Sequence, residues 1–307
     1  MVRDRHEGED RRTDSGWQTL LDVGKTMNVF LGTLSTAWSV SRIISALSAN
    51  LPSNLERVND PAQAELIVLH VTGRNEHTIR YAQEILSQGK KYAVIQYALK
   101  STRNPDPQDW YPLWQNAKVV WSYYDLKEHI PNFYHAPLAA GSDLFYPQEA
   151  KKKYIVGTVG NCYQAECVGE VQLAAWQTGA RALHIGENFN SNPIVDYVSG
   201  VSDDQMRELY CSCMHMASLR RKEGFEMTAV EALLCGVRPI MFDTPNYRQW
   251  FDGLAEFIPE GTPKNTTGRL KKIFKSDVKP VTDDEIEETK KRFDWKRSVG
   301  GFWERCL

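Results

Sequence analysis

Between Arg220 and Pro239 the chain reads RRKEGFEMTAVEALLCGVRP, an order of residue types that can handle a phosphate group. A loop, Glu223-Gly224-Phe225-Glu226-Met227, feeds the amino end of a helix over Thr228 to Cys235. Gly224 has no Cβ and lets the backbone turn or approach a ligand closely. A helix amino terminus offers free N–H groups and the positive end of a dipole, a natural seat for a diphosphate. Arg220, Arg221 and Lys222 stand directly before it. The same letters admit a structural account. Thr228-x-x-Glu231 is a capping box, Cys235-Gly236 a helix stop, and the three cations a solvated run.

The elements that must position this loop alternate along the chain. MNVFLGTLS is a short apolar strand entering a loop at Gly32, and Trp38 to Ala49 has helical apolar spacing. ELIVLH, ending at His70, is a strand, and His77 to Gln88 a helix closed by Gly89. KYAVIQY, KVVWSYY and FYHAPL follow, the first two separated by a Pro-rich loop at Asn104 to Pro107. Tyr146 to Ala150 and Lys151-Lys152-Lys153 form a composition break, and the pattern then restarts. KYIVGTVGN, a helix from Glu170 to Gln177, ALHIG, a helix from Asp203 to Ser212, HMAS, the Thr228 helix and RPIMF make a second unit of similar size. Apolar strands separated by helices predict parallel sheets covered on both faces. The expected division is a tail over 1–26, domains over 27–147 and 148–280, and charged helices over 281–307. Phe293, Trp295, Phe302 and Trp303 in the last stretch need a surface, which the first domain could supply. Two such units place ligands in the crevice at the carboxyl ends of their strands.

Bulk properties exclude several classes. With 42 % hydrophobic and 25 % charged residues over 307 positions, the chain has the composition of a soluble globular protein. No apolar run reaches the roughly 20 residues of a membrane span, and the polar first 26 residues lack the core of a secretory signal. A cytoplasmic, reducing location is therefore expected, with peripheral membrane contact left open. A net charge of −2 gives no general pull toward nucleic acid. Cys162, Cys167, Cys211 and Cys213 could be imagined around zinc, but C-x4-C and C-x-C do not match paired CxxC knuckles. No metal site is expected, and free buried thiols are the simpler reading.

The Arg220 segment resembles the Glu-x7-Glu signature of retaining glycosyltransferases, notably family four, with Glu223-Gly224-Phe225 and Glu231-Ala232-Leu233-Leu234-Cys235-Gly236 in register. Three landmarks fall in the same order. APLAAGSDLFYP (Ala136 to Pro147) is similar to the interdomain segment, KYIVGTVGN to the first strand and glycine loop of the donor domain, and YVSGVSDDQMRELY (Tyr197 to Tyr210) to the stretch beside the nucleotide base. The likeness covers about residues 130 to 260, and the amino half only in outline. It implies a GT-B architecture, with two Rossmann-like α/β domains facing across a donor and acceptor cleft, and a UDP- or GDP-linked sugar as co-substrate without further cofactor.

By the same resemblance, Glu223 contacts hydroxyls of the donor sugar, and the N–H groups of Phe225, Glu226 and Met227 hold phosphate or sugar oxygens beside Thr228. Glu231 accepts from the ribose hydroxyls. Gly160 and Asn161 belong to the glycine loop, Gly200 and Val201 border the base, and Gly32 with Thr33 closes the pocket from the other domain. His70 stands where the family often has a His and is a catalytic candidate beside Glu223, although a strand-end His is a structural residue at least as often as a catalytic one. No Asp-x-Asp occurs, so the metal motif of the other large glycosyltransferase fold is absent.

Some positions depart from the pattern. GTVGNCYQAECVG lacks the Arg and Lys that touch the diphosphate, Gln96 and Tyr97 stand where a His is usual, and Thr244-Pro245-Asn246-Tyr247-Arg248 replaces a GG loop. The nearest replacement cations are Arg220, Arg221 and Lys222, with Arg248 as a further candidate. The arginines are favoured because a guanidinium binds phosphate oxygens with two parallel hydrogen bonds. The acceptor is open among glycan, lipid, protein and modified DNA base. The alternative is a catalytically silent sugar-nucleotide-binding protein of the same fold.

Overall fold

The computed structural model describes residues 26–32, 38–72, 75–99, 110–161, 163–187, 192–221 and 224–307. Among these, twelve strands form two six-stranded sheets in which every pairing is parallel. The first contains β1 (Met27–Phe30), β2 (Leu55–Val58), β3 (Leu66–Val71), β4 (Lys91–Gln96), β5 (Val120–Ser122) and β6 (Phe133–His135) in the order β2-β1-β3-β4-β5-β6. The second contains β7 (Tyr154–Val159), β8 (Ala182–Ile185), β9 (Val195–Val198), β10 (Cys213–Ser218), β11 (Arg238–Phe242) and β12 (Glu256–Ile258) in the order β12-β11-β10-β7-β8-β9. Strand order reverses between β1 and β3 in one sheet and between β7 and β10 in the other. Those reversals open crevices beyond the strands' carboxyl ends.

Helices cover the sheets: α1 (Trp38–Ala49), α2 (Asn75–Ser87), α3 (Tyr111–Trp114), α4 (Val168–Gln177), α5 (Asp203–Cys211), α6 (Met227–Leu234), α7 (Pro245–Phe251), α8 (Pro263–Lys275), α9 (Asp283–Arg292) and α10 (Trp295–Cys306). β3 is buried along its whole length and β4 at all but Lys91, as doubly covered strands must be. α1 buries Val40, Ile43 and Leu47, one face at helical spacing. α5 opens on a capping box, Ser202 with Gln205, and α6 stops at Cys235 with Gly236 left-handed behind it.

At least three groups of contacts join the two units among the described residues. The segment after β6 packs on α5, where Arg207 donates to Leu144 O (2.9 Å) and Gln148 Oε1 (3.1 Å). α9 and α10 return toward the first sheet. Phe302 packs on Trp121 with ring centres 5.5 Å apart, and the Trp303 indole N–H donates to Leu47 O of α1 at 3.3 Å. At the third place, the Trp250 and Gln249 side chains of α7 donate to Tyr123 O, each at 2.9 Å. The GG-loop replacement thus opens α7, with Thr244 as its N-cap. No helix among the described residues is long and apolar enough to cross a membrane. The 1–26 tail lies, but for Thr26, outside the described residues.

Candidate functional site

Both crevices open into one cavity of about 620 Å³. From the first sheet it is lined by Thr72 beyond β3, Tyr97 and Ala98 beyond β4, Tyr123 beyond β5, and Val40 and Ile43 of α1. From the second it receives Gly160 and Asn161 beyond β7, Arg220 beyond β10, and the amino end of α6. The cavity brings together Gly160, Asn161, Arg220, Phe225, Glu226, Met227, Thr228 and Glu231 of the residues singled out from sequence, and adds Glu166.

Local folding explains each placement. Gly160 has φ +143°, and a Cβ there would overlap the Glu166 carboxylate, so glycine is required twice over. Arg220 lies between two carboxylates. Its Nη2 donates to Glu166 Oε1, and its Nε lies 3.3 Å from Glu226 Oε1. Its backbone is held by Tyr247 of α7, whose hydroxyl donates to Arg220 O at 3.1 Å. A guanidinium carries five N–H donors, so a phosphate can be added or exchanged for one carboxylate. Met227 and Thr228 stand in the first turn of α6, where backbone N–H groups have no partner one turn back within the helix. The Phe225 ring packs in an aromatic cluster with Tyr123, Phe251 and Phe293, at 5.6, 5.3 and 5.7 Å between centres. Gly224 is demanded by Tyr124, whose ring a Cβ would strike at 2.5 Å.

Glu231 does not cap a helix. α6 starts at Met227 with Glu226 as N-cap, which puts Thr228 inside the first turn, its hydroxyl 3.3 Å from Ser218 Oγ. The Glu231 side chain is fully buried. Its Oε1 accepts from Arg42 Nη1 and its Oε2 from the Tyr210 hydroxyl, each at 2.6 Å. Burial raises its pKa from 4.5 to about 7, against the opposing pull of Arg42 and Tyr210. Arg42 comes from α1 of the other domain, also donates to Asp203 at the start of α5, and lies over the Phe145 ring at 5.2 Å. Sequence reasoning missed Arg42. Its signal was a single cation in WSVSRIISALSA, a helix otherwise of apolar and small polar residues.

Other expected residues stand outside the cavity wall. Arg221 is consumed by α4 and the loop before α8: Nη2 reaches Glu170 Oε1 (3.1 Å), and Nη1 reaches Glu260 Oε1 (3.2 Å) and Gly261 O (3.0 Å). Arg248 pairs with Asp243 and Asp252 at 2.8 and 2.7 Å on the exposed side of α7. Gly200 and Val201 lead into Ser202, the N-cap of α5, and Gly32 lies against the Phe30 ring. His70 forms a layer behind Tyr97: its Nδ1 lies 2.7 Å from the Tyr97 hydroxyl and the rings stack at 5.8 Å. Burial pushes its pKa down to about 4, so it is neutral at pH 7. Thr33, Lys222 and Glu223 lie outside the described residues, as does Cys162 of the four-cysteine set. Among the described residues no three His, Cys, Asp or Glu side chains are grouped to hold a metal.

No protein family matches the chain by sequence profile, and no curated protein is similar to it in sequence. Solved structures are similar to it in fold. HepE of Anabaena, determined with UDP and glucose, aligns over 91 % of this chain and 99 % of its own, at TM-score 0.72 and 10 % identity. Sucrose-phosphate synthase of Thermosynechococcus elongatus aligns over 91 % and 98 %, at TM-score 0.66 and 12 % identity. The lipopolysaccharide outer core galactosyltransferase WaaB aligns over 91 % and 99 %, at TM-score 0.60 and 13 % identity. The chain has the GT-B architecture of glycosyltransferases, as its paired parallel sheets require.

Proposed function

We propose that this protein is a retaining, metal-independent glycosyltransferase that moves a sugar from a UDP- or GDP-linked donor to an acceptor. The observation that carries the reading is the common wall formed by Arg220, the amino end of α6 and Glu231, facing the other sheet's crevice across one cavity. As the glycosidic bond breaks, negative charge develops on the leaving nucleoside diphosphate. The Met227 and Thr228 N–H groups and the α6 dipole stabilise it, and Arg220 supplies the full positive charge that the lost Arg and Lys would have given. Glu231 accepts from the ribose hydroxyls, and Glu223 contacts the sugar. His70, neutral, braces Tyr97 at the cavity wall rather than moving a proton. HepE, crystallised with UDP and glucose, supports this class of ligand. Calorimetry with UDP and GDP tests the reading: one of them saturates the wild-type protein, and the absence of heat with either overturns it.

A further inference from the structure

The amino edge of the second sheet, at the far end of its strands from the cavity, carries chemistry of its own. Two outer helices lead there from a common start. Arg221 reaches Glu170 in the first turn of α4, and Glu260 and Gly261 just before α8. From that point α4 and α8 pack side by side. α4 ends at the amino edge because it crosses between the parallel strands β7 and β8. α8 ends there too, since Phe274 in its last turn packs on His215 near the start of β10, at 6.4 Å between ring centres.

The inner faces of this pair bury Val171, Ala174 and Ala175 on α4, and Leu270 and Phe274 on α8. The outer faces carry an unusual set. Leu173 is 43 % exposed and Trp176 60 % exposed, one helical turn apart on α4. On α8, Lys272 and Lys275 are exposed and Lys271 half-buried. We propose that the outer layer of α4 and α8 docks on an anionic lipid surface, with Trp176 and Leu173 entering the headgroup region and Lys271, Lys272 and Lys275 facing the acidic headgroups. The inference is independent of the donor reading above.

Charge and polarity together choose the occupant. The stretch Arg269 to Lys275 contains no acidic residue, and neither does Val171 to Arg181. The acidic groups of this layer are engaged elsewhere or lie beyond it: Arg221 holds Glu170 and Glu260 at the opposite end, Asp196 pairs with Arg181 at 2.6 Å, and Asp277 follows α8. The surface therefore suits an anionic partner. A soluble polyanion would use the lysines but gain nothing from Leu173, which neither donates nor stacks. At a bilayer surface both apolar side chains leave water, an indole favours the headgroup level, and lysine stems lie along the apolar boundary with their charges outward. Docking by this layer leaves the cavity uncovered, because the cavity lies beyond the carboxyl ends of the strands.

The test is flotation of the full chain with vesicles of phosphatidylcholine alone, or with about a third of the lipid replaced by phosphatidylglycerol. Wild type is expected to bind the acidic vesicles at least about fivefold better than the neutral ones, and to lose most of that preference at about 0.5 M salt, which screens the lysines. The triple variant Lys271→Gln, Lys272→Gln and Lys275→Gln abolishes the preference. Trp176→Ala weakens binding to acidic vesicles by about fivefold or more, through the lost apolar anchor. Thermal midpoints report whether each variant is folded, and Lys272→Gln alone carries the charge arm if the triple variant is not. Equal binding of wild type to both vesicles, or undiminished binding by the folded lysine variant, overturns the proposal. So does a Trp176→Ala that floats like wild type, since a charge patch shared with any polyanion needs no indole.

Discussion

The indole N–H of Trp250 in α7 donates to the main-chain oxygen of Tyr123, at the end of β5, across 2.9 Å. Gln249 shares that oxygen, and Phe225 and Trp250 stack edge to face beside it. The last turn of α7 therefore ties the second unit to the first sheet. Trp250→Phe keeps the ring and removes the donor, with Gln249 still in place. It should cost about 1 kcal/mol, the net worth of a typical hydrogen bond, read as a lower thermal midpoint. A midpoint equal to wild type shows that the tie carries no stability.

Arg220 and Arg221 are neighbours in sequence with opposite tasks. Arg220→Ala should weaken nucleoside diphosphate binding by about 2 kcal/mol or more, the cost of a desolvated charge contact. Arg221→Ala removes contacts to Glu170, Glu260 and Gly261. It should lower the thermal midpoint while leaving affinity within about twofold, since the lost contacts lie away from the ligand wall. Calorimetry and thermal melts on both variants check this, and equal affinity losses contradict it.

The Glu231 pKa, raised from 4.5 to about 7, makes stability depend on pH in a defined direction. Between these values the folded state binds the proton and the unfolded state does not, so this group's stabilisation is full below about 4.5 and is lost as pH rises through about 7. Glu231→Gln removes the titration. The variant's thermal midpoint should gain on wild type steadily from pH 5 to 7.5, and a constant difference across that range refutes the shift.

If, as proposed, a helix end and Arg220 serve the leaving group, excess chelator should leave turnover nearly unchanged. Activity lost to chelator and restored by Mn²⁺ or Mg²⁺ contradicts that account.

How much of this was legible in the sequence follows from where each signal arises. Buried strands such as β3 and β4 announce themselves as apolar runs, and α1 by its spacing. The strands that escaped notice, β2, β9 and β12, are all edge strands of three or four residues, LERV, VDYV and EFI, whose solvent-facing positions dilute the pattern. The loop before α6, proposed above as the phosphate seat, stood out in the sequence because loop, glycine and helix start are contiguous. The Thr228 and Glu231 pair misled because a capping box depends on where the helix begins, and α6 begins one residue before Thr228. The lone cation Arg42 was visible in α1, but its pairing was not, since its partners Asp203 and Glu231 lie 161 and 189 residues away.

The most direct measurement is mass spectrometry of the purified protein incubated with a panel of UDP- and GDP-sugars, with and without lysate as acceptor source, beside Glu223→Ala. Wild type is expected to release nucleoside diphosphate from at least one donor and to leave its sugar on water or an acceptor, while a folded Glu223→Ala releases none. Wild-type protein that binds the donors and returns every one intact contradicts the assignment and leaves a silent binding protein in its place.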